Sequence, residues 1–398
     1  MAHDRALSCI TPPFILRRLL DHDDAGVRSA ALTTLLVTAE LRGERSVRSA
    51  VASAGAPAGG RRTVFDCAHG VDLGAAVLAR SEDGDPSADP SVNRALDGFG
   101  STRSFYAEIL GRNSIDDRGM RLEGYVHRGV DYNNAFWDGQ KMVFGDGDGI
   151  IFTDFTASLD VIAHELTHGV TEHTAGLEYH DQPGALNESV SDVFGSLVKQ
   201  WTLGQRAEDA DWLIGAGVFT PGIAADALRS LARPGSAYDN ELFGKDPQPA
   251  HMDQYVVLPD TEDGDNGGVH TNSGIPNKAF HLTATRIGGF AWESAGRIWY
   301  EALRASTATS GFVAFAETTL LKAAELFGAG GAEAAAVRSA WQDVGVTVPT
   351  PAVPLSAAGV AARDGDGTMR TLTEQVAGLS ARIEDLTRVV QALAGGSH

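Results

Sequence analysis

The run His164-Glu165-Leu166-Thr167-His168 holds the residue types of a metal-assisted hydrolase at the spacing that chemistry needs. Helical residues four apart share one face, so both imidazoles can reach one ion while Glu165 stands beside them as a base. The approach Leu159-Asp160-Val161-Ile162-Ala163 is largely apolar, which favours a half-buried helix over a solvated face carrying two histidines by chance. A catalytic zinc site takes three protein ligands and keeps one position open for water. Between Gly184 and Gly195, small and apolar residues again recur at helical period, around Asn187, Glu188 and Asp192. Glu188 is the candidate third ligand. Asp192, one turn along the same face, can accept a hydrogen bond from the outer nitrogen of a ligating imidazole and fix its tautomer, and Asn187 can serve the other imidazole in the same way. An ordinary exposed helix face is the alternative for Glu188 and Asp192.

These stretches must be helices held in a larger frame. The chain has 398 residues, 43% of them hydrophobic, enough for two lobes with separate cores. An α+β fold is expected, with a β-rich N-terminal lobe over 61–175 that ends on the zinc helix. A mainly helical lobe follows over 176–347, with periodic runs such as Asn277 to Ile287 and Val313 to Leu326, and a cleft lies between the two. Asp146-Gly147-Asp148-Gly149 lacks the spaced ligands and terminal Glu of a calcium loop, so it reads as a turn.

With the zinc helix and the run Asn187 to Gly195, three more stretches stand in a telling order: Tyr132 to Gly139, Met142 to Gly149 and Asp265 to Gly274. Together they resemble the thermolysin-like zinc metalloendopeptidases, and more narrowly the protealysin-like branch, over about residues 61 to 347. The resemblance implies a two-lobed fold with zinc on His164, His168 and Glu188, and Glu165 activating a water for attack on a peptide carbonyl. It implies that Tyr179 and His270 stabilise the oxyanion, with Asp265 orienting His270, and that Asn134 and Ala135 hold the substrate backbone as an edge strand. Arg229 then bonds the carbonyl just after the cut, and Phe152, Phe155, Val161, Ile214, Val218 and Leu228 line the specificity pocket. An apolar pocket favours cleavage on the amino side of Leu, Phe, Ile or Val, driven by burial at about 25 cal/mol per Å². Intact Glu165, Tyr179 and His270 argue against a catalytically silent zinc protein.

One departure from the family concerns its paired calcium site. Asp160 and Asp211 stand at matching places, but Lys199, Leu213 and Ala216 stand where acids would be, so the double site is expected to be absent. The segment from Phe219 to Asp226 resembles a single-calcium loop, with Thr220, Ile223 and Asp226 as its ligands.

Residues 1–60 fall outside the protease body. Cys9-Ile10-Thr11-Pro12-Pro13-Phe14-Ile15-Leu16 resembles the short prosequence of protealysin-like precursors, followed by an Arg/Ala-rich helix and an Ala/Gly stretch, which implies a zymogen inhibited by its own prosegment and cut between Ser46 and Arg62. Cys9 and Cys67 are the only cysteines: two buried thiols are the default, with a disulfide or a Cys9 thiolate on zinc as the alternatives. No signal-type apolar core is visible, which leaves export without an ordinary signal or a cytoplasmic place. A net charge of −20 argues against nucleic acid and anionic membranes as partners and leaves peptides or proteins as substrates.

The C-terminal end is of another kind. Residues 348–367 read as a linker, and across 368–395 the positions Met369, Val376, Ile383 and Val390 alternate with Leu372, Leu379, Leu386 and Leu393. That heptad pattern predicts a parallel coiled coil and a homo-oligomer.

Overall fold

The computed structural model describes residues 8–49 and 61–348. The expected linker and coiled coil, and the cut region after residue 49, lie outside the described residues. The chain opens with β1 (Ser8–Cys9), α1 (Pro13–Leu19) and α2 (Ala25–Ser49). The body follows with β2 (Arg62–Asp66), β3 (Val77–Ser81), α3 (Pro90–Leu110), β4 (Leu122–Val126), β5 (Ala135–Trp137), β6 (Lys141–Phe144), α4 (Leu159–Glu172) and α5 (Asp181–Leu203). Four short strands, β7 (Leu213–Ile214), β8 (Arg229–Ser230), β9 (Asp239–Asn240) and β10 (Gly244–Lys245), precede α6 (Asp265–Asn272), α7 (Gly274–Ile287), α8 (Ala295–Ala305), α9 (Phe312–Phe327) and α10 (Ala332–Asp343). The expected α+β division is present: a sheet in the N-terminal part, helices from α5 onward. Among the described residues no helix is long and apolar enough to cross a membrane.

One six-stranded sheet runs β1-β5-β6-β4-β2-β3. Its outermost strand beside the cleft comes from the prosegment: β1 pairs antiparallel with β5, Ser8 opposite Trp137 and Cys9 opposite Phe136. Alternation along the strands sends residues to two apolar layers. The larger one joins the sheet to the helices and takes in Ile10, Phe99, Trp137, Ile162 and Leu166. On the other face Cys9, Cys67, Tyr125, Tyr132, Phe136 and Val143 form a second cluster, covered by Val37 and Leu41 of α2. Cys9 and Cys67 are both buried and form no disulfide, and burial raises the Cys67 thiol to about 11. The register Cys9–Phe136–Val143–Tyr125–Phe65 spans four strand spacings, about 19 Å, far beyond disulfide reach.

The zinc helix is fixed from both sides. Tyr106 of α3 bonds Thr167 of α4 through its hydroxyl at 2.8 Å. A Cβ on Gly195 of α5 would stand 2.6 Å from the Asp160 carbonyl, so only glycine lets α5 approach α4 this closely. The α3 start is tied to the sheet loops through His127, whose ring bridges Asp146 at 2.8 Å and Asp89, the α3 cap, at 2.7 Å. Asp148 accepts the N–H groups of Ile150, Ile151 and Phe152, so the Asp146–Gly149 run is a capped turn.

Where the family sequence pattern expects paired calcium, Lys199 stands. Its Nζ lies 2.8 Å from Asp160 Oδ2, 2.7 Å from the Leu213 carbonyl and 2.9 Å from Asp211 Oδ1. An ammonium tethered to α5 thus neutralises Asp160 in the first turn of the zinc helix. Burial works against its charge, but Asp160 and Asp211 outweigh that and hold its pKa above the ordinary 10.5. The resulting stability is complete below pH 10.5 and is lost only as pH rises through the raised value. Lys199→Met leaves the Asp160 charge buried without a partner and is expected to cost about 3 kcal/mol in urea unfolding. Any rise in the wild-type melting temperature in millimolar calcium is expected to vanish in Asp226→Ala; a rise of several degrees that survives that substitution would contradict the assignment.

Candidate active site

The two helices that the sequence pattern pairs, α4 and α5, bring His164, His168 and Glu188 together. Their ligand atoms all lie within 4.8 Å of one another, and among the described residues this is the one such group. The His164 and His168 Nε2 atoms face each other at 2.9 Å, and Glu188 oxygens stand 3.5 Å from each. All three side chains are buried, and Glu188 Oε2 has no hydrogen-bond partner. Burial holds His168 neutral, its pKa down at about 3. Two bare imidazole nitrogens converging on an orphaned carboxylate oxygen fit a divalent zinc ion.

The outer nitrogens are held as the sequence pattern anticipates. His164 Nδ1 lies 2.9 Å from Asp192 Oδ1, and His168 Nδ1 lies 2.8 Å from Asn187 Oδ1, with the Ser191 hydroxyl at 3.1 Å as a partner that sequence reasoning misses. Asp192 does more. Its carboxylate also takes the Arg229 guanidinium, Nε to Oδ2 at 2.8 Å and Nη2 to Oδ1 at 2.9 Å, and Asn277 Nδ2 at 2.9 Å. Burial opposes its ionisation, but Arg229 and His164 hold the carboxyl well below its usual range. Asn277 and Arg229 lie 85 and 37 residues away in sequence, which is why helical spacing could not reveal them.

Glu165 is fully buried, and its Oε2 accepts the Trp137 N–H of β5 at 3.1 Å. Burial, then the Glu188 charge, push its pKa well above the ordinary value, which suits a group that takes and returns a proton. Across the cleft, Asp265 Oδ1 sits 2.6 Å from His270 Nδ1 and its Oδ2 accepts the His270 N–H at 2.9 Å. Asp265, Asn266, Gly267 and Gly268 all have positive φ, a costly turn that swings His270 inward. Gln248 secures the His270 carbonyl at 2.8 Å, another contact without a sequence signal. Burial disfavours a charged His270, but Glu188 and Asp265 raise its pKa to about 9. The Tyr179 hydroxyl donates to Glu188 Oε1 and lies 3.5 Å from His270 Nε2.

The prosegment threads this cleft as an extended strand. Ile10 N–H donates to the Ala135 carbonyl at 3.2 Å, and Thr11 N–H to Asn134 Oδ1 at 3.0 Å. The Ile10 carbonyl accepts from Arg229 Nη1 at 3.1 Å, and the Cys9 carbonyl lies 3.0 Å from His270 Nε2. The Cys9 carbonyl therefore faces His270, and Cys9 is no member of the His164, His168, Glu188 group. Phe152, Phe155, Val161, Ile214, Val218 and Leu228 are all buried, in the apolar cluster that includes Ile10. In the expected calcium loop the Thr220 hydroxyl donates to the Ile150 carbonyl at 2.6 Å, which leaves its oxygen lone pairs open.

Because Asp192 holds both a zinc ligand and Arg229, Asp192→Ala is expected to weaken zinc affinity about 10- to 100-fold. A chelator competition titration reads this directly, and unchanged affinity would show that Asp192 does not position His164.

Comparison with known proteins agrees with this geometry. Residues 82–172 match the thermolysin metallopeptidase catalytic domain, and residues 175–346 its alpha-helical domain. An extracellular metalloprotease of Pectobacterium carotovorum subsp. carotovorum is 48% identical over 347 residues, 86% of this chain and 98% of that protein. Protease PrtS of Photorhabdus sp. (strain Az29) is 48% identical over 290 residues, 72% of this chain and 76% of its own. Among solved structures, the precursor of protealysin, a metalloproteinase from Serratia proteamaculans, aligns with a TM-score of 0.76 at 46% identity, covering 85% of this chain and all of that one. With its His-His-Glu site intact and relatives this similar over most of its length, the chain belongs to the thermolysin family of zinc metalloendopeptidases.

Proposed function

We propose that the enzyme is held latent by its prosegment and, once freed of it, cuts peptide chains on the amino side of bulky hydrophobic residues. The observation that carries this reading is Ile10, which is fully buried while its backbone is held by Ala135 and Arg229. A substrate lying in the same path puts its own apolar side chain where Ile10 is buried, and the family resemblance makes Phe152, Phe155, Val161, Ile214, Val218 and Leu228 the lining of that place.

Zinc, when bound by His164, His168 and Glu188, lowers the pKa of a water to about 7 and polarises the substrate carbonyl. Glu165 takes the proton of the attacking water and returns it to the leaving amine. His270 and Tyr179 donate to the carbonyl oxygen as it gains charge, from positions fixed in advance by Asp265 and Gln248. Asn134, Ala135 and Arg229 keep the peptide extended by strand addition, which lets the enzyme cut inside chains.

A calcium ion held by Thr220, Ile223 and Asp226 is a secondary part of the proposal, resting on the likeness of that loop alone. The same holds for the place of action: the name of the Pectobacterium relative favours work outside the cell over a cytoplasmic role. Self-association through 368–395 rests on the heptads.

Glu165→Ala in the prosegment-free enzyme is expected to lower kcat by at least about 1000-fold with zinc content retained, measured on a Leu-containing peptide. Chelator-insensitive cleavage, or equal rates for the two proteins, would sink the mechanism. Light scattering of the chain with and without residues 368–395 is expected to give a multimer and a monomer; a monomer in both cases removes the oligomer.

A further inference from the structure

The strand register of the prosegment fixes where residues beyond the cut would run. Cys9 lies opposite Phe136 and the Ile10 N–H meets the Ala135 carbonyl, so Ile10 is the first residue after the cut position; continued past β5 in the same register, the second would fall level with Asn134, the third with Asn133 and the fourth with Tyr132. The prosegment leaves this path after Thr11, because Pro13 opens α1. Residues of α2 fill the vacated place: Thr34 Oγ1 accepts the Asn133 N–H at 3.0 Å, and Thr38 Oγ1 meets the Tyr132 hydroxyl at 3.2 Å. Both contacts disappear with the prosegment, and the Asn133 N–H then becomes available to a substrate carbonyl.

Beside Tyr132 stands a cation without a counter-charge. The Arg128 guanidinium lies 5.1 Å from the Tyr132 ring centroid and is 5% exposed. Among the described residues its Nε and Nη1 have no hydrogen-bond partner, and no carboxylate pairs with it in an ion bridge. A buried guanidinium with orphaned donors is costly unless a ligand completes it. Strand alternation adds direction: Cys9 faces the cluster of Phe136 and Tyr132, Ile10 faces away, and the second and fourth residues after the cut return to the Cys9 face.

We infer that Arg128, beside the Tyr132 that α2 covers, forms a substrate subsite that selects a carboxylate side chain at the fourth residue after the cut. The planar guanidinium takes the carboxylate through Nε and an Nη nitrogen while its face stays on Tyr132. The protein carries a net charge of −20, so a general attraction for acidic peptides is absent and the preference is local to this position. The inference rests on the substrate direction given above.

The test uses the prosegment-free enzyme and peptides with one Leu cut site, carrying Glu, Gln or Lys at the third or the fourth residue after the cut. At the fourth position the wild type is expected to favour Glu over Gln in kcat/KM by about tenfold, with the preference shrinking as salt rises. At the third position the two peptides are expected to be equal. Arg128→Gln brings the fourth-position ratio to one, and Arg128→Glu reverses it toward Lys. Because each ratio compares peptides on one enzyme, a loss of folded protein cancels. A wild-type ratio near one, or a ratio that survives Arg128→Gln, overturns the proposal while leaving the protease intact. Failure to cut even the Gln peptide would remove the protease reading and the subsite with it.

Discussion

The site turns on one carboxylate. Asp192 is buried without access to water, a position in which a lone charge is untenable, and it survives there because Arg229, His164 and Asn277 surround it. Its three partners serve different ends, His164 in the metal site, Arg229 in the grip on the peptide and Asn277 in the packing of α7. The metal site and the grip on the Ile10 carbonyl are therefore not independent constructions, since moving either one strands the charge of the other. The glycine at 195, which lets α5 lie against α4, and the ammonium of Lys199, which neutralises the helix start, keep that carboxylate in register with the imidazoles.

Latency follows from the same groups. His270, Arg229 and Asn134 are polar and buried, and each needs a partner; Cys9, Ile10 and Thr11 supply one through their backbone. The prosegment thus satisfies the machinery with the contacts a substrate strand would make, and adds the apolar anchors Ile15, Leu16, Leu19 and Val27 that an ordinary peptide lacks. Its second helix also seals the far face of the sheet.

Much of this is legible in the sequence because it obeys short periods. His164, His168 and Glu188 with Asn187 and Asp192 are set by four-residue spacing on two helices, and helices at Asn277 to Ile287 and Val313 to Leu326 appear within α7 and α9. Whatever depends on tertiary approach leaves no such trace. The Trp137 N–H on Glu165, Asn277 on Asp192 and Gln248 behind His270 join residues far apart in sequence, by backbone atoms or by amides common everywhere. In the sequence Lys199 reads as the loss of a cation site; the fold shows a cation supplied by the chain. Composition cannot assign Cys9 and Cys67, and only the register across five strands separates them.

Two imidazoles and a carboxylate hold the metal while the prosegment blocks it by its backbone, and zinc K-edge absorption on the intact, zinc-loaded zymogen tests both halves of that claim together. The predicted spectrum has nitrogen and oxygen neighbours alone, with the outer-shell signature of two imidazoles at about 2.0–2.1 Å. A sulfur neighbour at about 2.3 Å would place the Cys9 thiolate on the metal and contradict the account.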